Sequence, residues 1–264
     1  MLKDITLGQY FPKESPIHHM DARVKILLAL ACMIIILMIN GIPGYIALGG
    51  VILVAVVLSE VPMKTFVKSL KPIMIFLVFT LFLNIFLTPG TTFFKIGFIH
   101  ATYEGLYYAA IGFCRIVFMV LVSSLLTYTT SPIVLTNAIE RLLSPLKIVK
   151  FPSHEVAMMM TIALRFIPTL LEEADKIMKA QMARCADFES GNIVRRIKAL
   201  IPLLVPLFVS AFRRADELAV AMESRCYRGG EGRTSFKILK TSYRDYIAIS
   251  IVTMVSSVIV WMGM

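Results

Sequence analysis

Two tripeptides, Ala183-Arg184-Cys185 and Ser224-Arg225-Cys226, hold the residues in this chain best suited to specific chemistry. Their arginines lie 41 positions apart, and each tripeptide closes a stretch whose apolar residues recur at spacings of three and four. A guanidinium is planar, always charged and carries five donors in a fixed fork, so it grips a carboxylate or backbone carbonyls in a way lysine cannot match. The chemistry on offer is recognition. A small neighbour on each side lets the wall of another protein close around the charge, and truncating one such buried interfacial partner commonly costs about 2–5 kcal/mol. A lone arginine near a helix end is ordinarily a solvated cation that favours the helix dipole. Two of them, in matched settings on successive helices, point to docking on a soluble partner.

Other groups offer less. Gly229-Gly230-Glu231-Gly232-Arg233-Thr234 has the look of a phosphate loop but lacks the Walker spacing and a preceding strand, so it reads as a helix terminus. His18, His19, His100 and His154 form no ligand pattern with one another or with Cys32, Cys114, Cys185 and Cys226; no metal site, catalytic set or cofactor is expected. Arg115 stands alone in an apolar run, where a charge costs at least ~2.5 kcal/mol. It is either a contact to a partner inside the bilayer or a snorkelling or internally paired cation, with Glu104 as a candidate partner. Met158, Met159, Met160, Met178, Met182 and Met222 make the two long amphipathic helices methionine-rich. Such side chains suit a surface that meets several partners, or ordinary packing.

The elements that must position these residues follow from composition. The 264 residues are 58% hydrophobic, with a mean hydropathy of +0.79. Apolar runs over Val24–Ile39, Ile42–Leu58, Ile73–Leu87, Leu106–Tyr128 and Tyr246–Met264 read as five membrane spans, the second and third of them short. The net charge of +10 has a membrane explanation in place of a nucleic-acid one. Threading five spans from a cytoplasmic N-terminus puts 25 of the 27 Lys and Arg residues inside, leaves Lys95 outside and buries Arg115. The C-terminus then lies outside. Gly8 to Lys25 reads as an interfacial arm in which Asp21 caps the first helix, and Val61–Pro72 as a short inner connection. A helix from Ser131-Pro132 to Leu143 precedes two long ones, about Ser153–Ala186 and Ile193–Tyr227, kinked at Pro168, Pro202 and Pro206. The expected fold is all-α: an N-terminal arm with four spans (1–128), a cytoplasmic helical domain (129–242) and a last span (243–264), in an L-shaped arrangement. A stand-alone secondary transporter would show internal repeats and midplane charges, and only Arg115 and Asn84 stand there. An integral-membrane enzyme would cluster acid and base groups at an interface, and none cluster here.

Several segments carry a resemblance. Ser15-Pro16-Ile17-His18-His19-Met20-Asp21-Ala22-Arg23-Val24-Lys25 is similar to the opening pattern of the transmembrane coupling component of energy-coupling factor transporters, ABC-type importers of vitamins and trace metals. Ala163 to Pro168 with Glu172 to Asp175 resembles the family's first coupling segment; Ile201 to Leu207 with Arg213 to Ala219 resembles the second. The family's signature is a pair of Ala-Arg-Gly tripeptides whose arginines enter grooves on two cytoplasmic ATPase subunits. The resemblance maps these onto Arg184 and Arg225, with Cys185 and Cys226 in place of both glycines and Ser224 in place of the second alanine. It implies a four-part importer in a plasma membrane: two ATPases that bind ATP and magnesium, this non-catalytic scaffold, and a small membrane subunit that captures the vitamin or metal and topples to release it. The capture subunit is expected on the apolar face of the long helices, around Met159, Met160, Leu164, Pro168, Leu203 and Pro206.

Overall fold

The computed structural model describes residues 10–39, 41–96, 99–145, 152–186, 188, 192–229 and 241–261. The glycine-rich segment from Gly230 onward, residues 189–191 of the turn between the long helices, and Phe98 lie outside them. Among the described residues the chain forms α-helices and one short hairpin. It divides into two units: Ile139–Lys237, and Gly8–Ala138 with Ile238–Met264.

The second unit is built from helices whose ends are marked by local chemistry. α1 (Ala22–Met38) starts where the Asp21 carboxylate accepts the Arg23 amide at 2.9 Å, the cap expected from sequence. α2 (Ile42–Leu58) carries Pro43 in its first turn, where a missing amide costs nothing. α3 (Met63–Leu70), a 3-10 turn over Lys71–Ile73 and α4 (Met74–Leu87) follow one another without a break. The expected inner connection is therefore mostly helix. Pro72 sits inside a tightened turn in place of opening a new helix, and the resulting Met63–Leu87 rod of 25 residues is long enough to cross a membrane. The segment after it forms an unforeseen antiparallel hairpin, β1 (Thr92–Ile96) with β2 (Ile99–Thr102), pairing Ile96 with Ile99. α5 (Tyr103–Thr129) opens on Thr102, whose hydroxyl accepts the Gly105 amide at 3.0 Å. Gly105 is required there: a Cβ would stand 2.6 Å from the carbonyl oxygen of Asn84 on α4. α9 (Tyr243–Trp261) closes the unit.

α1, α2, α3, α5 and α9 share one core, with Ile36, Ile39, Leu48 and Phe66 almost wholly enclosed. The outer faces of these helices and of α4 are apolar and exposed, as in Ile46 on α2 at 71% and Ile75 on α4 at 84%, which fits a lipid solvent. Two helices of this unit, Met63–Leu87 and Tyr103–Thr129, meet the length and apolarity of a span; Ile42–Leu58 is apolar and shorter.

The arm is anchored to the helices through a few buried groups while Pro12, Lys13, Glu14, Pro16 and His19 stay exposed. Ser15, Asp21 and Lys25 are buried. The Phe11 amide donates to the Tyr128 carbonyl at 3.0 Å, and His18 bonds the Phe11 carbonyl through Nε2 (3.0 Å) and Ser15 Oγ through Nδ1 (2.7 Å). Lys25 Nζ donates to the carbonyls of His18 and Thr129 at 3.2 and 3.0 Å. Asp245, 1% exposed, accepts the Asp21 amide at 3.0 Å and the Ser242 amide at 2.7 Å. This polar clasp joins the arm, the start of α1, the end of α5 and the start of α9, so buried charges are matched by buried donors.

Arg115 also finds its partners inside the chain. It donates from Nε to the Tyr45 hydroxyl and from Nη2 to the Ile39 carbonyl, both at 3.1 Å. Tyr45 itself donates to the carbonyls of Ile36 and Ile39. The charge satisfies the open end of α1, where helix carbonyls lack intrahelical partners. Glu104 is engaged elsewhere, accepting the Thr91 amide at 2.7 Å.

α6 (Pro132–Leu143), which has the bounds expected from sequence, is divided between the units at Ala138, and the other unit contains its last residues with α7 (Ser153–Ala183) and α8 (Ile193–Ser224). Helical structure continues through Pro168, Pro202 and Pro206. By length and composition α7 also qualifies as a membrane span.

Candidate functional site

The two long helices end in the same way, three residues before the expected stops. After Ala183 the Cys185 amide donates to Met182 and the Ala186 amide to Gln181, both at 3.0 Å. After Ser224 the Cys226 amide donates to Glu223 at 2.8 Å and the Tyr227 amide to Met222 at 3.0 Å. Each is a Schellman motif, with the amide of the second residue past the cap reaching five positions back. Arg184 and Arg225 are the cap residues of these motifs. Cys185 and Cys226 are the left-handed residues that reverse the chain, at φ 63° and 55°. Ala183, Arg184, Cys185, Ser224, Arg225 and Cys226 are all exposed.

This geometry assigns the third tripeptide position a backbone role that sequence reasoning missed. A left-handed residue with a Cβ costs about 1–2 kcal/mol, which glycine avoids. Glycine in a matched pair of tripeptides is thus a helix stop before it is a small neighbour. The cysteines keep the same conformation and hold both arginines at equivalent places on the last turns. There a cation also meets the negative end of each helix dipole.

α7 and α8 pack against each other. Glu173 on α7 accepts from the Ser210 hydroxyl and, at 3.1 Å, from Arg214 Nη2, both on α8. His154 at the start of α7 bonds Glu140 on α6 at 2.8 Å. A small apolar cavity of about 250 Å³ lies beside the Glu173–Arg214 pair, lined by Phe166, Leu170, Ala215 and Leu218 among others.

The residues expected to meet a capture subunit divide. Met159, Met160, Pro168 and Pro206 are exposed and Leu164 is half-buried. Leu203 is 7% exposed and packs within the chain, so it does not belong to a free face. Sequence reasoning missed its neighbours Ile201, Leu204, Val205, Phe208 and Phe212, exposed by 43–70% at helical spacing along one side of α8. The signal was present: their three-and-four spacing marks an apolar stripe, but it does not say which stripe packs inward.

The comparisons agree with this architecture. Residues 13–236 match the family described as cobalt transport protein. The chain is 55% identical over 250 residues to the energy-coupling factor transporter transmembrane protein EcfT of Clostridium kluyveri, covering 94% of this chain and 93% of that one. It is 53% identical over 251 residues to the protein of the same name from Ruminiclostridium cellulolyticum, covering 95% and 94%. With that of Brevibacillus brevis it shares 48% identity over 262 residues, covering 99% of both. Apolar helices, paired helix ends and full-length similarity together make this chain a member of the EcfT family, the transmembrane components of energy-coupling factor transporters.

Proposed function

We propose that this subunit couples two cytoplasmic ATPases to a substrate-capture membrane protein, with Arg184 and Arg225 each inserted into one ATPase. The observation that carries this reading is the repeated helix end: two exposed arginines at the same position of the same motif, on helices that pack together. ATP and magnesium bind to the ATPases. Closure of the ATPases moves α7 and α8 through the two grips, and the exposed stripe of α8 with Met159 and Met160 of α7 bears on the capture subunit. That subunit selects the vitamin or metal. The N-terminus is cytoplasmic and the C-terminus lies outside, as the distribution of basic residues favours. α7 lies on the cytoplasmic side despite its span-like length, because Glu172, Glu173, Asp175, Lys176 and Lys179 crowd its second half.

The test is co-purification. Arg184→Glu with Arg225→Glu abolishes recovery of the ATPases on the tagged subunit and abolishes ATP-driven uptake, with membrane insertion unchanged. Full recovery of the complex with the double variant overturns the reading.

A further inference from the structure

The membrane-spanning unit contains a groove that the coupling role does not use. A cavity of about 660 Å³ runs between α1, α2, α5 and α9. Its volume is within the roughly 300–1,000 Å³ of small-molecule sites. The walls are apolar for most of their length, with Leu28, Gly50, Val54 and Ile251 among them, and its polar lining includes Lys25 and Arg244. Both basic residues stand in the first turn of their helices, at the arm's end of the bundle.

Among the described residues of the clasp at that end, the charges do not cancel. Asp21 pairs with Arg23 at 2.6 Å. Lys25 spends its donors on the carbonyls of His18 and Thr129 and, weakly, on the Thr130 hydroxyl, and lies within electrostatic reach of Asp245 and Asp21. Two carboxylates thus balance Arg23 and Lys25, and Arg244 is the surplus cation. It is half-buried, its guanidinium lies 5.8 Å from the ring centroid of the neighbouring Tyr243, and its Nε donates to that hydroxyl over a long 3.5 Å. No carboxylate stands within ion-pair distance of it among the described residues.

We infer that this groove binds one anionic glycerophospholipid, its acyl chain along the apolar walls and its phosphate headgroup on Arg244. An apolar slot between spans with an uncompensated cation at one end matches both halves of such a lipid, and basic pockets between membrane helices select acidic headgroups. A zwitterionic lipid fills the slot equally well but carries its own cation to the same place. The inference rests on the membrane placement of α1, α2, α5 and α9, and not on the roles of Arg184 and Arg225.

Native mass spectrometry of the full chain in mild detergent tests it, by titration with phosphatidylglycerol and phosphatidylcholine of identical acyl composition. Phosphatidylglycerol binds about fivefold more tightly, the gain from one basic residue near a headgroup. Arg244→Gln brings the two lipids level, and Arg244→Lys keeps part of the preference. Gly50→Phe weakens both lipids, because a Cβ at Gly50 meets nothing within 4 Å and the ring can enter the groove. Equal binding of the two lipids by the unaltered chain overturns the inference, as does a preference that survives Arg244→Gln or binding untouched by Gly50→Phe. In the assembled transporter, a Gly50→Cys variant that cross-links to a helix of another subunit also overturns it, by showing that protein fills the groove.

Discussion

Cys185 and Cys226 carry the sharpest consequence at the scale of single residues. Each holds a left-handed backbone that disfavours any side chain with a Cβ. Cys185→Gly and Cys226→Gly are expected to stabilise each helix end by about 1 kcal/mol while leaving the arginines where they are. Hydrogen exchange checks this directly: the Ala186 and Tyr227 amides, which close the two motifs, become more protected in the glycine variants. Unchanged or reduced protection would show that the cap is not strained by cysteine. Sequence reasoning found both arginines, because matched tripeptides at helix ends are visible in one dimension. It assigned the third position to fit against a partner, because the sign of φ is not written in residue type when the residue is cysteine. Arg115 shows the same limit. Its cost inside an apolar run was legible, but its partners were not, since the Tyr45 hydroxyl and Ile39 carbonyl lie 70 and 76 positions away.

Among the elements, the arm is held by hydrogen bonds that its sequence does not show, and its chemistry makes it sensitive to pH. His18 must carry its hydrogen on Nε2, because the Phe11 carbonyl can only accept. Burial pushes the imidazole below its ordinary pKa; the Phe11 hydrogen bond opposes this, and the charges of Lys25 and His19 add to it. A histidine with a lowered folded pKa contributes stability that is present above its unfolded value, near 6.5, and lost as pH falls toward the folded one. The arm is therefore expected to loosen as pH falls below about 6.5, read as faster exchange of the Phe11 amide at pH 5.5 than the intrinsic pH effect explains. His18→Gln should flatten that dependence; an unchanged profile would assign it to another group. Helix bounds were more legible than this. Asp21, Ser131 and the breaks around Gly41 and Pro145 punctuate the chain locally. The start of the third apolar rod was misplaced by ten residues because a proline reads as a helix opener, while a 3-10 turn can carry it inside.

For the whole molecule, the buried clasp at the arm's end decides whether the first and last helices form one unit. Asp245 accepts two backbone amides from within a site closed to solvent, one of them 224 positions away. Asp245→Ala leaves those donors unmet and removes the stronger of the two carboxylate charges that act on Lys25, and is expected to destabilise the unit by about 3 kcal/mol. Thermal unfolding of the purified chain measures this; a change within about 0.5 kcal/mol, the range of an ordinary surface substitution, would remove the clasp from the account of stability. The chain's composition and periodicity alone determined that it is helical and membrane-embedded, where its basic residues gather, and which two arginines close its long helices. These are properties of runs and spacings, and an apolar run must satisfy its own backbone in lipid whatever surrounds it. Only the tertiary structure decided that Leu203 faces inward while Phe208 and Phe212 do not, that Arg115 caps α1, and that Asp245 holds Asp21. Those depend on which helix faces which, and pairing between distant segments leaves no mark on the residues beside it.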